Sequence, residues 1–240
     1  MANGQTRQTG ATLAPYYFIT GTDTDAGKTI AASQLIRCLN HNGIPTIGMK
    51  PAASGCMAQG DILLNADVEA HQQASPIPVP EQLQNPYRFL PPISPHLAAR
   101  EAGVTIELDH ILDCATALRQ YASTIVIEGA GGWYAPLSDT LRIADLAMAL
   151  QAPVILVVGM RLGCINHALL TAEAILQARL PLAGWIANCI DPDMSRFAEN
   201  LTYLQTHIPA PCLAVIEHSA DAALGCLNPQ AFELLKLQNL

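Results

Sequence analysis

Tyr16-Tyr17-Phe18-Ile19-Thr20-Gly21-Thr22-Asp23-Thr24-Asp25-Ala26-Gly27-Lys28-Thr29 opens the regular part of the sequence. Residues 16–20 are aromatic and β-branched, the make-up of a short buried strand. Residues 21–27 are small and acidic, and read as a loop. From Lys28 to about His41, Ile30, Ala31, Leu35, Ile36 and Leu39 recur at helical spacing, and Asn42-Gly43 stops the helix. A strand, a glycine-bounded loop ending in Gly27-Lys28-Thr29 and a helix together make the setting of a phosphate loop. Backbone N–H groups at the helix N-terminus face the anion, Lys28 reaches the outer phosphates, and the Thr29 hydroxyl can hold Mg2+. Counted from Gly21, the loop is one residue longer than G-x-x-x-x-G-K-[ST], because Thr22 stands where the first glycine would be. The plain alternative is a chance Gly-Lys-Thr at a helix start; the strand before it and the helix after it argue against that.

Outward from this block the same alternation continues. Residues 45–49 form a second strand, ended by Lys50-Pro51. Residues 124–128 read as a clean buried strand that runs into Gly129-Ala130-Gly131-Gly132. Residues 153–158 and 182–187 are further strands, and 213–216 a weaker one. Helical spacing covers 97–121 with a break at Gly103, 143–150 and 165–179. Residues 51–96 are the least regular; 61–73 fit a helix, and the prolines from 76 to 95 argue for loop. Strands alternating with helices imply an α/β fold: a doubly wound, mostly parallel sheet with helices on both faces, P-loop NTPase-like. No repeat or linker interrupts it. A flexible N-terminal extension is expected over 1–15 and a single P-loop α/β domain over 16–240.

Composition narrows the function. Of 240 residues, 50% are hydrophobic and 13% charged, which excludes a disordered chain. Only 5% are aromatic, so the core is aliphatic. Lys+Arg number 12 against 20 Asp+Glu, a net charge of −8, which disfavours nucleic acid as a partner. The seven cysteines form no C-x-x-C pair and no zinc spacing, as expected of reduced thiols in the cytoplasm. Residues 1–15 lack an apolar stretch, and no apolar run approaches the ~20 residues that span a bilayer, so neither a signal peptide nor a membrane partner is expected. The seven histidines contain no H-E-x-x-H, and there is no G-x-S-x-G. His96 and His167 read as capping or core residues.

Four further positions carry possible chemistry. Glu128 ends an apolar strand, where ligands bind in open α/β sheets and where phosphate-loop proteins place a metal-side acid. A capping or exposed glutamate is the alternative; the adjoining glycines, which let backbone approach a ligand closely, favour the former. Lys50 ends the strand before it and faces either the crevice or solvent; Ser54 is a weaker candidate. Asp67 can complete an oxygen shell around Mg2+, although on chemistry alone it reads as a solvated helix residue. Asn188-Cys189-Ile190-Asp191 echoes the guanine-reading N-K-x-D pattern with Cys in place of Lys. Asn188 can bond a purine edge or simply make a turn.

Taken together, FITGTDTDAGKT (18–29), GMKPAASG (48–55), NAD (65–67), SPH (94–96), VIEGAGGWYAPLSD (126–139), PVILVVGMRLGCINHALLTA (153–172) and LAGWIAN (182–188) resemble the dethiobiotin synthetase family of biotin biosynthesis. The blocks occur in the family's order over about 170 residues, and the tail after Asp191 matches loosely. The resemblance implies a homodimer that uses Mg2+ and ATP to close a cyclic urea from 7,8-diaminononanoate and CO2, releasing ADP and phosphate. It implies that Thr24, Asp25, Ala26, Gly27, Lys28, Thr29 and Ile30 line the nucleotide phosphates. Gly129, Ala130, Gly131, Asn188 and Cys189 are implied around the rest of the ATP, with Asn188 at adenine. Thr29, Asp67 and Glu128 are implied as Mg2+ ligands, Lys50 and Lys28 as the catalytic cations, and Ser54 as a contact to the substrate carbamate. Gly163, Cys164, Ile165 and Asn166 are implied to reach the substrate's tail across the subunit interface. Three positions depart from the family's pattern. Asp25 stands for a frequent Glu, Arg161 for a frequent Lys, and Ala214-Val215-Ile216-Glu217, running on to His218, for a Gly-x-Ile-Pro-like strand end.

Other readings predict different features. A dimeric ATPase switch of the partitioning kind usually carries an extra lysine early in the loop, where this chain has Thr22, Asp23 and Thr24. Such proteins often also carry a basic surface, whereas this chain is acidic and its last nine residues hold one lysine. An amidotransferase needs a glutaminase module for which there is no room. A GTPase is disfavoured by Cys189.

Overall fold

Side chains alternate across a strand, so a strand buried on both faces feeds two cores at once. In the computed structural model, which describes residues 13–60, 62–219, 221, 222, 225, 227 and 229–237, the central strands do this throughout. The elements run β1 (Tyr16–Gly21), α1 (Lys28–His41), β2 (Thr46–Met49), β3 (Ala52–Ala53), β4 (Met57–Gln59), β5 (Ile62–Leu64), α2 (Ala66–Ala74), α3 (Glu81–Gln84), β6 (Tyr87–Arg88) and α4 (Pro95–Glu101). They continue with α5 (Leu108–Leu118), β7 (Thr124–Gly132), α6 (Ile143–Ala149), β8 (Val154–Met160), α7 (Cys164–Gln177), β9 (Leu182–Cys189), α8 (Phe197–His207), β10 (Cys212–Ile216) and α9 (Pro229–Leu237).

Six strands form a wholly parallel sheet in the order β10-β9-β8-β1-β7-β2, the doubly wound arrangement expected. On one face Phe18, Ile125, Ile127, Leu156 and Trp185 pack with α5, α6 and α7. On the other, Tyr17, Ile19, Val126, Ile155 and Ile186 pack with α1 and α9. The chain leaves β1 for β2, leaving room for β7 between them, and later sets β8 on the far side of β1. Beside such a reversal the loops at the strands' C-terminal ends part, and a crevice opens.

The irregular stretch resolves differently from the expectation. The helix foreseen over 61–73 begins only at Ala66, and a hairpin of antiparallel β4 and β5 precedes it. Asn65 sets the boundary. It is extended (φ −129°) and its side-chain oxygen accepts the N–H groups of Asp67 and Val68, so it caps the helix. Within the proline-rich loop, α3 forms, β6 pairs in parallel with β3, and Pro95 starts α4. β7 continues past Glu128 through the glycines. Two helices had no clear sequence signal. α8 buries Leu204 alone, so its apolar period is faint; α9 packs Ala231, Phe232 and Leu235 beneath the sheet. Of the extension expected over 1–15, residues 1–12 lie outside those described. Ala14 and Pro15 already bond the sheet: their carbonyls accept from Thr124 Oγ1 (3.3 Å) and the Ile125 N–H (2.9 Å).

Candidate active site

The site is built by strand alternation. In β2, Ile47 and Met49 enter one core, so Gly48 and Lys50 face the other way, towards α1 and α2. In β7, Val126 shares that second face, and so does Glu128. Gly48 pairs with Val126 and Met49 with Ile127, which brings Lys50 level with Glu128. The first turn of α1 supplies Lys28 and Thr29, and the first turn of α2 supplies Asp67.

These side chains meet. Lys50 Nζ lies 2.7 Å from Glu128 Oε1 and 2.7 Å from Asp67 Oδ2, and 3.3 Å from the Gly129 carbonyl. Thr29 Oγ1 lies 2.7 Å from Asp67 Oδ1 and 2.9 Å from Glu128 Oε1. Glu128 and Lys50 are buried. Burial opposes the charge on Glu128, but the Lys50 ammonium and the hydrogen bond from His71 outweigh it and hold the carboxyl well below its usual range. Burial likewise opposes the charge on Lys50, and Glu128 and Asp67 outweigh it, so its pKa is raised. Lys50 therefore remains an ammonium. Lys28 moves the other way, because burial is its largest influence and Lys50 repels it.

The loop is shaped for an anion. Asp25 (φ 59°) and Gly27 (φ 86°) are both left-handed. A Cβ on Gly27 would sit 1.9 Å from Asn188 Nδ2, so glycine is required there. The first helical bond runs from the Ala31 N–H to the Gly27 carbonyl, leaving the N–H groups of Lys28, Thr29 and Ile30 without partners in the helix. Lys28 Nζ donates to the Asp23 carbonyl at 2.9 Å, and Arg161 pairs with the Asp23 carboxylate at 2.6 Å.

A cleft of about 1440 Å³ unites most of the residues singled out by sequence. Thr24, Asp25, Gly27, Lys28, Thr29, Ile30, Lys50, Ser54, Asp67, Glu128, Ala130 and Gly131 all line it. Trp133, Tyr134 and the α7 residues Leu170 and Glu173 line it too; the first three fall within the blocks that carry the resemblance but were given no role there, and Glu173 falls outside them. Ala26 and Gly129 serve through their carbonyls, which accept from Asn188 Nδ2 (3.0 Å) and Lys50. Asn188 is buried behind the loop, and Cys189 beside it bonds the Asp191 carbonyl. Gly163, Cys164, Ile165 and Asn166 start α7 away from the cleft wall, next to Leu162, which is 92% exposed. Sequence reading passed over His71, whose Nε2 lies 2.9 Å from Glu128 Oε2. Its available signal was the four-residue step from Asp67, which puts both on one helix face.

The donor set fits Mg2+. Thr29, Asp67 and Glu128 present only hard oxygens, and Mg2+ is usually held by one or two carboxylates plus phosphate oxygens. Among the described residues no three His, Cys, Asp or Glu side chains gather into a complete cage. Nor is any described helix long and apolar enough to cross a membrane.

A family model described as an AAA domain matches residues 16–223. ATP-dependent dethiobiotin synthetase BioD of Cellvibrio japonicus is 48% identical over 217 residues, covering 88% of this chain and 95% of the relative. ATP-dependent dethiobiotin synthetase BioD 1 of Escherichia coli O157:H7 is 46% identical over 217 residues, covering 89% and 96%. Among solved structures, a ParA family ATPase from Chlorobium tepidum TLS aligns with a TM-score of 0.53 at 14% identity over 93% of each chain, a likeness of fold alone.

Proposed function

The chain belongs to the dethiobiotin synthetase family, and from that premise we propose that it closes the ureido ring of dethiobiotin from 7,8-diaminononanoate, CO2 and ATP. The observation that carries this reading is Lys50. A phosphate loop needs Lys28 alone; a second buried ammonium, 2.7 Å from Glu128 and from Asp67, suits a reaction in which a second anion must approach the γ-phosphate.

One amine of the substrate attacks CO2 and loses a proton, giving a carbamate. A carbamate oxygen attacks the γ-phosphorus, the bond to the β–γ bridging oxygen breaks, and ADP leaves. The second amine attacks the carbonyl carbon of the resulting carbamic–phosphoric anhydride, the carbon–oxygen bond breaks, and phosphate departs as the ring closes. Phosphoryl transfer mainly requires positioning and neutralised charge. The residues 24–30 hold the phosphates through backbone N–H groups, Lys28 bridges the outer ones, and Lys50 offsets the carbamate's charge. Because its neighbours raise its pKa, Lys50 acts as a fixed charge rather than a base. Ser54 bonds the carbamate, and Asn188 and Cys189 lie on the adenine side. Thr29, Asp67 and Glu128 would hold Mg2+, which supplies positive charge to the phosphate oxygens when bound. With carbamate and second amine on one molecule, closure is intramolecular and entropically favoured.

A homodimer completes the reading: Gly163, Cys164, Ile165 and Asn166 of one protomer meet the substrate tail held by its partner. The exposure of Leu162 supports this. A cytoplasmic location suits six described cysteines that are all free thiols. The test is incorporation of labelled bicarbonate into an acid-stable product. Label that requires Mg2+, ATP and the diamine is the expected result. Diamine-independent ATP hydrolysis with no stable label would overturn the proposal in favour of an ATPase switch.

A further inference from the structure

His71 is wholly buried, touches Glu128, and takes no part in the steps above. It sits on α2 one turn beyond Asp67, facing β2. Its ring fits there because Gly48 has no side chain: a Cβ at that position would lie 2.6 Å from His71 Cγ. Nδ1 has no hydrogen-bond partner among the described residues. A proton on Nδ1 would be buried without an acceptor, a costly arrangement, whereas a bare lone pair there costs less. The proton therefore belongs on Nε2, 2.9 Å from Glu128 Oε2. The two oxygens of Glu128 thereby become unequal. Oε2 is taken by His71, while Oε1 faces Thr29 (2.9 Å) and Lys50 (2.7 Å).

We propose that His71 is a positioning residue whose Nε2–H ties down Oε2 of Glu128, so that the carboxylate offers a single oxygen to a divalent cation held with Thr29 and Asp67. This rests on the Mg2+ reading above. Outer hydrogen bonds of this kind orient metal ligands, and their loss typically lowers metal affinity by roughly 10–100-fold. A one-oxygen ligand also suits Mg2+, which keeps strict octahedral geometry, better than Ca2+, which accepts two-oxygen carboxylates. The clamp thus biases the site towards the smaller ion.

The experiment measures Mn2+ binding by electron paramagnetic resonance on the full chain with ADP, with Mg2+ and Ca2+ as competitors. Gln places an N–H close to that of His Nε2, Asn falls short of it, and Leu fills the space without a donor. His71→Gln is expected to stay within about 3-fold of wild type, and His71→Asn and His71→Leu to weaken binding by roughly 10–100-fold. The Leu variant should also narrow the preference for Mg2+ over Ca2+. Equal affinity in wild type and His71→Leu, or equal losses in the Gln and Leu variants, would sink the proposal. A measurement that needs no variant runs alongside: nitrogen-15 NMR of the wild-type histidines should find His71 with its proton on Nε2, and the opposite tautomer overturns the inference. Glu128→Gln separates the two layers. If it binds Mn2+ as wild type does, the metal site is wrong and His71 falls with it. If Glu128→Gln loses the ion while His71→Leu keeps it, only the role of His71 fails.

Discussion

Two strands bury a polar side chain beside the same loop, and they do it by opposite means. At Glu128 in β7 the side chain is ionised and surrounded by Thr29, Lys50 and His71. Near the end of β9, Asn188 is neutral and donates one hydrogen bond, to the Ala26 carbonyl. A buried carboxylate must be compensated on every side, because an unpaired charge costs far more than a lost neutral bond. An amide needs only a partner for each group. The first is thus a balanced set of charges that responds to any change in one member. The second is a strut that holds the loop in shape.

The largest expected break in that contrast is Lys50→Met. It leaves Glu128 and Asp67 without the ammonium that contacts both. ADP release should fall by at least about 100-fold, and urea denaturation should show a loss of about 3 kcal/mol. Lys28→Ala should lose as much activity and less stability, since Lys28 bonds a carbonyl rather than a carboxylate. A Lys50→Met protein as stable as wild type would mean that the charges at β7 are not balancing one another.

Acid pH probes the same contrast more gently. The Glu128 carboxyl in the folded chain lies below its unfolded value of about 4.3. Its contribution to stability is therefore present above that value and is lost as pH falls below it, at up to about 1.4 kcal/mol per pH unit. Urea midpoints measured between pH 6 and pH 3 should fall more steeply for wild type than for Glu128→Gln. An identical slope in the two proteins would contradict the depressed carboxyl. The smallest effect is expected for Asn188→Ala: about 1 kcal/mol of stability, a several-fold higher KM for ATP, kcat nearly unchanged, and no alteration of the acid slope. A loss of kcat matching that of Lys50→Met would erase the distinction between strut and charge network.

The two sites also differ in how far they could be read from sequence. The phosphate loop was legible because strand, glycine and helix signals are contiguous, and Glu128 because it terminates an unbroken apolar run. Lys50 and Asp67 were ambiguous. Nothing local separates a lysine after a strand from a surface lysine; the register of β2 against β7 makes the difference, and register is a long-range property. Asp67 reads as solvated until Asn65 is seen to cap α2 and turn its first residues towards β2. The three apolar residues of β5 fit either period, which is why the helix was expected to start too early. His71 needed two distant facts at once, its place one turn beyond Asp67 and the absence of a side chain at Gly48.

The alternation along β2 makes the sheet behave like a reading frame. Ile47 and Met49 belong to the apolar core, and Gly48 and Lys50 face His71 and Glu128, with one residue's advance between the two meanings. With the start of β2 held in place, an insertion of one residue within it would present Met49 to Glu128, and a deletion would turn the Lys50 ammonium into the apolar core. The error would not be a weaker enzyme but a different message, spelled by the same letters. Substitutions at this edge can be graded, whereas shifts of length cannot.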